Sequence, residues 1–201
     1  MGKLIVVISL VALLIPGVAS ANLLYNPGFE LTGPDGHMQG WLQEWNTNIA
    51  GTVDNPHSGL YAARDFWDGG AYQNVAVTPG QAYRLTGWAY IPAGLGGSPW
   101  GSYIGLKFLN STGATVGQSQ VDMQGLTRAQ YNQADTGQLI APSTAVTAMV
   151  RFGTWANAPW QPVNPTDFDD FDFNAVPEPT SLMLLGSGLI GLVGLTRKKR
   201  A

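Results

Sequence analysis

Side chains that could catalyse a reaction are few in this 201-residue sequence, and they are poorly grouped. Asp65 and Asp68 could act as a carboxylate pair in glycoside hydrolysis, although aspartates this close together in a loop are more often turn formers. His37 and His57 stand beside Gly or Pro, at no spacing typical of a metal site. The sequence contains no cysteine, which excludes thiol catalysis and cysteine-based metal sites. We predict that the protein is not an enzyme; the alternative is a secreted polysaccharide-active hydrolase.

The sequence is richer in residues that suit binding. Segments 82–91, 102–109 and 148–155 alternate apolar residues with aromatic or cationic ones, which is the period of a strand. If these strands share a sheet, its outer face combines rings that stack on sugars with basic groups that reach hydroxyls. The predicted glycan-binding residues are Arg84, Trp88, Tyr90, Tyr103, Arg151 and Trp155, together with Lys107.

Two alternatives to this binding face remain open at the level of sequence. Trp and Tyr are favoured in strands generally, so a loop could cover the face and give its residues a structural role. Three further tryptophans in Gly/Pro-rich loops could instead form a site at the edge of the domain: Trp67, Trp100 and Trp160.

The elements that must position these residues are strands. Gly, Asn, Pro, Ser and Thr recur at roughly the spacing of short strands and turns, and no window keeps a helical period for three turns. Thr78-Pro79-Gly80 is a strong turn signal, because Pro presets one backbone angle and Gly accepts a positive φ. The pattern predicts an all-β jelly-roll sandwich with strands at 22–25, 40–46, 60–66, 71–77, 82–91, 102–109, 114–121, 145–154 and 168–173.

This β-sandwich body is predicted to span residues 22–174. It holds five Lys and Arg residues against twelve Asp and Glu, a net charge of −7 that the basic C-terminus conceals. Because phosphate contacts need clustered Lys and Arg, the acidic balance argues against nucleic acid as a partner.

The N-terminus is typical of an export signal. Met1-Gly2-Lys3 is followed by an uninterrupted apolar run from Leu4 to Ile15, and Pro16 and Gly17 end that run. Ala19 and Ala21 are small residues at the positions that signal peptidase reads. We predict a signal peptide at 1–21, cleaved by signal peptidase after Ala21.

The C-terminus combines an apolar segment with a basic end. Residues 181–196 carry no charge, and as a helix they would measure about 24 Å, short of the ~30 Å hydrocarbon core of a bilayer. The following cluster of Arg197, Lys198, Lys199 and Arg200 acts as a cytoplasmic stop signal. We predict a short transmembrane helix at 181–196 that makes a weak permanent anchor.

The order of these C-terminal features resembles a known sorting signal. Pro177-Glu178-Pro179, the Gly/Leu segment and the basic cluster at 197–200 are together similar to the PEP-CTERM signal of bacterial exported proteins. The resemblance covers only residues 175–201. It implies recognition and processing by an exosortase, with a membrane-anchored precursor that ends at the cell surface or in the extracellular matrix.

The body has a second resemblance, looser in each motif but spread over most of its length. NLLYNPGFE, HSGLYAA, YQNVAVTPGQAYRLTGWAY, APSTAVTAMVRF and DDFDF occur in an order that resembles carbohydrate-binding-module-like jelly rolls of the galactose-binding type. This implies extracellular polysaccharide as a partner, or else a structural or adhesive role. It also implies one structural Ca²⁺, with Glu30 and Asp169 at the matching acidic positions.

The strand period bears on the second of these calcium ligands. Phe171 and Phe173 are expected to face the core, which would put Asp169 on their face and Asp170 and Asp172 on the other. A carboxylate facing the core needs a cation or several donors, and Ca²⁺ prefers oxygen ligands. The alternative is that DDFDF is a solvated acidic edge that protects against aggregation.

Overall fold

Alternating apolar residues form strands throughout the body of the protein. The computed structural model describes residues 21–45, 49–65, 68–93, 101–123, 127–155 and 165–177, and within these ranges the chain forms strands and no helix. The strands are β1 (Leu42–Trp45), β2 (Ile49–Thr52), β3 (Ala62–Asp65), β4 (Gly69–Ala76), β5 (Ala82–Tyr90), β6 (Gly101–Leu109), β7 (Thr115–Asp122), β8 (Tyr131–Ile140), β9 (Thr147–Trp155) and β10 (Thr166–Ala175).

Several predicted features lie outside the described residues. These are the signal peptide up to residue 20, the tryptophans at 67, 100 and 160, and the C-terminal segment from 178 onward. Among the residues that the structure does describe, none forms a helix with the length and hydropathy of a membrane span.

Within the described ranges, the strands form two antiparallel sheets of five. We call the sheet with the order β1-β4-β9-β6-β7 the front sheet, and the sheet with the order β2-β3-β10-β5-β8 the back sheet. The predicted all-β sandwich is therefore confirmed. The predicted turn between β4 and β5 also forms, with Gly80 at φ +81° and the Gln81 amide donating to the Thr78 carbonyl at 3.2 Å.

The core lies between the two sheets and follows the predicted alternation. Leu85 and Ala89 of β5, Ile104, Leu106 and Phe108 of β6, and Val150 and Phe152 of β9 are all fully buried. Since alternate side chains of a strand point to opposite faces, the residues between them lie on the outer faces of the sandwich.

An aromatic cluster fills one part of this core. The Phe29 ring lies 5.1 Å from Trp41 and 5.4 Å from Phe152, measured between centroids, and Phe152 lies 5.3 Å from Phe171. Phe29 is fully buried at φ +58°, a backbone conformation that non-glycine residues rarely adopt. The loop before β1 thus contributes core side chains as the strands do, and packing holds its backbone in an uncommon conformation.

Strand β10 carries a bulge that changes which side chains share a face. Asp169 pairs with Trp88, but Asp172 pairs with Thr86, so β10 has one extra residue between these pairs. Asp170 adopts φ +46° at this point. Phe168 and Phe171 are therefore both buried in the core although they are three residues apart. The prediction that Asp169 shares a face with Phe171 is wrong, because the bulge places Asp169 opposite Trp88.

The strand prediction missed two strands and added one. β2 and β8 were not predicted, because β2 is short and contains Gly, and β8 reads YNQADTGQLI with few apolar residues. Residues 22–25 were predicted as a strand but do not form one. They lie beside β10 instead, where the Leu23 amide donates to the Phe173 carbonyl at 2.9 Å.

We expect Phe152→Ala to lower the free energy of unfolding by about 3–5 kcal/mol, because it leaves a cavity among four aromatic rings. Denaturant unfolding followed by tryptophan fluorescence measures the change. Leu42→Ala, at a side chain that is 56 % exposed, is the matched control and should change stability by under about 0.5 kcal/mol. Similar losses in both variants would contradict this account of the core.

Candidate functional site

The predicted glycan-binding residues do not share one sheet. β5, which carries Arg84, Trp88 and Tyr90, lies in the back sheet, whereas β6 and β9, which carry Tyr103, Arg151 and Trp155, lie in the front sheet. The premise of a common face is therefore wrong. The structure divides the predicted residues into two groups on opposite outer faces of the sandwich, and Lys107 of β6 belongs to the front-sheet group.

The back-sheet group is engaged by neighbouring side chains. The His57 ring stacks on Trp88 with centroids 4.3 Å apart and an interplanar angle of 20°. The ring centroids of Tyr90 and Tyr131 lie 5.3 Å apart. The Arg84 Nε donates to Asp135 Oδ1 at 2.9 Å. One face of the Trp88 indole is thus covered by the loop that carries His57, which agrees with the alternative of a covered face.

The loop that covers Trp88 is held by the acidic residues of β10. The backbone amides of His57 and Ser58 donate to Asp169 Oδ2 at 2.8 and 3.2 Å, and the Ser58 hydroxyl donates to Asp170 Oδ1 at 2.8 Å. On the same loop, Asn55 Nδ2 donates to Asp167 Oδ2 at 3.1 Å. These bonds fix the loop against the outer face of the back sheet.

The front sheet presents a row of three rings. Trp45 stacks on Tyr103 with centroids 5.9 Å apart and an angle of 13°, and Tyr103 stacks on Trp155 at 5.5 Å and 24°. Tyr103 is 1 % exposed, while the two tryptophans are half-buried. Burial raises the pKa of the Tyr103 hydroxyl far above its ordinary value, so this group remains a neutral hydrogen-bonding group.

Glycines beneath the rings leave room for this arrangement. A Cβ at Gly70 would lie 2.8 Å from the Tyr103 hydroxyl and 3.0 Å from the Trp45 ring, and one at Gly101 would overlap Trp155. Both glycines occupy strand positions, where Gly normally weakens a sheet. Their absence of side chains lets the rings approach the sheet closely.

A charged network lies beside the row of rings. Arg151 Nε donates to Glu44 Oε2 at 2.8 Å, the Tyr103 hydroxyl donates to the same oxygen at 3.3 Å, and Lys107 Nζ lies 3.5 Å from Glu44 Oε1. The Arg151 guanidinium carbon also lies 4.6 Å from the centre of the Tyr103 ring and 5.3 Å from that of Trp45. We call Glu44, Trp45, Tyr103, Lys107, Arg151 and Trp155 the front-face cluster.

Sequence reasoning missed two members of this cluster, Glu44 and Trp45. Both lie in β1, which is only four residues long and carries a register shift between Gln43 and Trp45. Such a strand is too short and irregular to give a reliable alternation. One signal was present in the sequence. Glu44 and Trp45 are an acidic and an aromatic residue side by side, inside the segment 40–46 that was predicted as a strand.

The two aspartates considered for hydrolysis make structural hydrogen bonds. Asp65 is fully buried, and its Oδ2 accepts from the Thr154 amide at 2.9 Å and the Thr154 hydroxyl at 3.0 Å, which joins the two sheets. Asp68 Oδ1 accepts from Trp45 Nε1 at 3.3 Å. The first carboxylate holds the sandwich together and the second positions a ring of the front-face cluster.

The predicted calcium ligands are brought to the same turn. Glu30 accepts the backbone amides of Leu60 and Tyr61 at 3.0 and 3.1 Å, and Asp169 accepts those of His57 and Ser58. Burial raises the pKa of Asp169 to about 6, even though backbone donors oppose that rise. The described residues contain no group of three or more His, Cys, Asp or Glu placed to hold a metal ion. A cation would therefore need backbone oxygens as its remaining ligands.

The C-terminal segment of the chain matches a known protein-family motif. Residues 175–199 match the PEP-CTERM protein-sorting motif. The predicted sorting signal is thus confirmed. It indicates an exported protein that is processed by an exosortase and sorted to the surface. No curated protein matches the chain in sequence.

The sandwich resembles carbohydrate-binding modules in solved structures. TmCBM61 in complex with β-1,4-galactotriose is 20 % identical with a TM-score of 0.53, over 78 % of this chain and all of that one. The CBM22-1 xylan-binding domain of Xyn10C from Paenibacillus barcinonensis is 16 % identical with a TM-score of 0.54, over 80 % of this chain and 97 % of that one. At these identities the likeness establishes the fold.

Another similar structure belongs to a much larger protein. The enzymatically active domain of tailspike protein 4 from bacteriophage CBA120 is 14 % identical with a TM-score of 0.57, over 77 % of this chain. The chain spans only 21 % of that tailspike structure. The sandwich thus corresponds in fold both to separate binding modules and to part of a larger protein.

We expect Glu44→Gln to destabilise the protein by about 1–3 kcal/mol, because it removes the negative charge shared by Arg151, Lys107 and the Tyr103 hydroxyl in a half-buried site. Urea unfolding at pH 7 measures the loss. Asp135→Asn, which breaks the exposed pair with Arg84, is the matched control and should have the smaller effect. A larger loss in the control would show that Glu44 does not organise the front-face cluster.

Proposed function

We propose that this exported protein is a non-catalytic glycan-binding protein and that the front-face cluster is its binding site. The observation that carries the proposal is the row of Trp45, Tyr103 and Trp155 beside Arg151 and Glu44. Half-buried indole rings offer apolar faces to the C–H faces of sugars, while the charged groups can bond to ring hydroxyls. The carbohydrate-binding modules that share the fold are consistent with this function.

The back sheet is the weaker candidate for the same role. His57 covers one face of Trp88, and the loop around His57 is fixed by Asp167, Asp169 and Asp170. A sugar that stacks on this face of Trp88 would first have to displace the imidazole ring. The binding role is thus assigned to the front sheet and a structural role to Trp88.

A binding role is also favoured over hydrolysis. Glycoside hydrolysis requires two carboxylates that face the scissile bond, one of which can exchange a proton. Asp65 is instead buried between the sheets against Thr154, and Asp68 accepts a bond from Trp45. These hydrogen bonds give each of the two carboxylates a structural role.

We expect Trp45→Ala and Trp155→Ala each to weaken glycan binding at least about tenfold, the equivalent of 1.4 kcal/mol of lost contact. A glycan array with the purified protein first identifies a ligand, and calorimetry then measures the dissociation constants. Trp88→Ala is the matched control, because it removes an indole from the other face; it should lower stability and leave affinity within about twofold.

Two results would change this assignment. Loss of binding in Trp88→Ala but not in Trp45→Ala or Trp155→Ala would move the site to the back sheet. A parent protein that binds no polysaccharide would leave the sandwich with a structural or adhesive role at the cell surface.

We also propose that one structural Ca²⁺ binds at Glu30 and Asp169. The support is that both carboxylates face the turn at 57–61 and that Asp169 is fully buried with its pKa raised to about 6. A raised pKa in the folded state means that protonated Asp169 favours folding below about pH 4. This contribution is lost as pH rises through about 6, where a cation would replace the proton.

We expect Ca²⁺ to raise the melting temperature at pH 7 and to have little effect at pH 4. With chelator present, the unsubstituted protein should lose stability relative to Asp169→Asn as pH rises from 4 to 7, because the buried carboxyl of Asp169 must lose its proton and the amide of Asn does not titrate. Thermal unfolding with matched calcium and chelator samples measures both effects. Melting curves that chelator leaves unchanged at pH 7 would exclude the calcium site.

A further inference from the structure

The sorting motif and the folded sandwich share residues. The motif match begins at residue 175, while β10 runs from Thr166 to Ala175. Ala175 pairs with Tyr83 of β5, and the Val176 amide donates to the Ala82 carbonyl at 2.8 Å. The first two residues of the matched motif are therefore held by the back sheet.

The side chain of Gln81, the residue just before β5, also holds this junction. Gln81 Nε2 donates to the Val176 carbonyl at 2.6 Å and to the Ala82 carbonyl at 3.1 Å. The backbone of Gln81 is itself fixed, because its amide donates to Thr78 and its carbonyl accepts from Ala141 at 2.9 Å. Both backbone groups of Val176 thus have partners, and the pairing stops at Pro177, which has no amide hydrogen.

The side chains of this junction become less buried toward Pro177, although Ala175 still packs against the core. Phe173 is fully buried, whereas residues 174–176 are half-buried and Pro177 is exposed. A groove of about 410 Å³ lies along the segment and is lined by residues 175–177 and by polar residues of β5, β8 and β10, among them Thr86, Gln133 and Asn174. The segment can therefore separate from β5 at Val176 while Phe173 stays in the core.

We propose that the bond from Gln81 to Val176 restrains the sorting motif and sets how readily the exosortase reaches Pro177-Glu178-Pro179. Enzymes that act on a peptide bond engage extended chain on both sides of it, and residues bonded into a sheet are available only after local opening. The rate of processing then depends on the opening of residues 175–177. This inference rests on processing of the precursor at the sorting motif.

The test is the rate at which the full-length precursor is converted in its exporting host. Pulse–chase labelling gives the rate, and the intact mass of the product gives the new terminus, which we expect within residues 176–179. Gln81→Ala should raise the rate about three- to tenfold, the effect of losing the hydrogen bond to the Val176 carbonyl. Gln138→Ala, an exposed glutamine of β8, is the matched control and should be processed at the parental rate.

Two further measurements separate restraint from other effects of the substitution. Hydrogen exchange at the Val176 amide should accelerate in Gln81→Ala by a similar factor and stay unchanged in Gln138→Ala. A flexible six-residue Gly/Ser insertion between Val176 and Pro177 should speed processing and make it insensitive to Gln81→Ala.

Each failure has a distinct meaning. Faster exchange at Val176 without faster processing would overturn the inference, as would unchanged exchange in Gln81→Ala. An exported parent that retains Arg200 would instead show that the motif is not processed, and would remove the basis of the inference.

Discussion

The arrangement of this protein depends on a spacing constraint within β10. Phe168 and Phe171 both lie in the core, yet they are three residues apart in a strand whose faces alternate every two residues. The extra residue is accommodated by a bulge at which Asp170 adopts a positive φ. Burial of two aromatic side chains compensates for this unfavourable backbone conformation.

The bulge also determines which contacts form on the outer face of the back sheet. It places Asp169 opposite Trp88 and turns Asp170 toward the loop at 55–61. The two carboxylates then accept bonds from that loop, and His57 is held over the indole of Trp88. The same distortion that completes the core thus covers one face of Trp88 on the back sheet.

The front face combines charged side chains with aromatic rings above strand glycines. Gly70 and Gly101 let Tyr103 and Trp155 lie close to the backbone, and Glu44 holds Arg151 and Lys107 beside them. At the opposite surface, the last strand continues directly into the sorting motif. Of the two sheets, the front sheet thus carries the front-face cluster and the back sheet carries the junction with the sorting motif.

The sequence by itself determined the all-β class, the core residues of β5, β6 and β9 and the sorting motif. These follow from a two-residue period in long strands and from a linear order of motifs, which depend only on neighbouring residues. Tertiary structure alone decided which strands share a sheet, and so separated Trp88 from Tyr103 and Trp155. It also decided the bulge that moved Asp169, because strand pairing and register depend on residues that are distant in sequence.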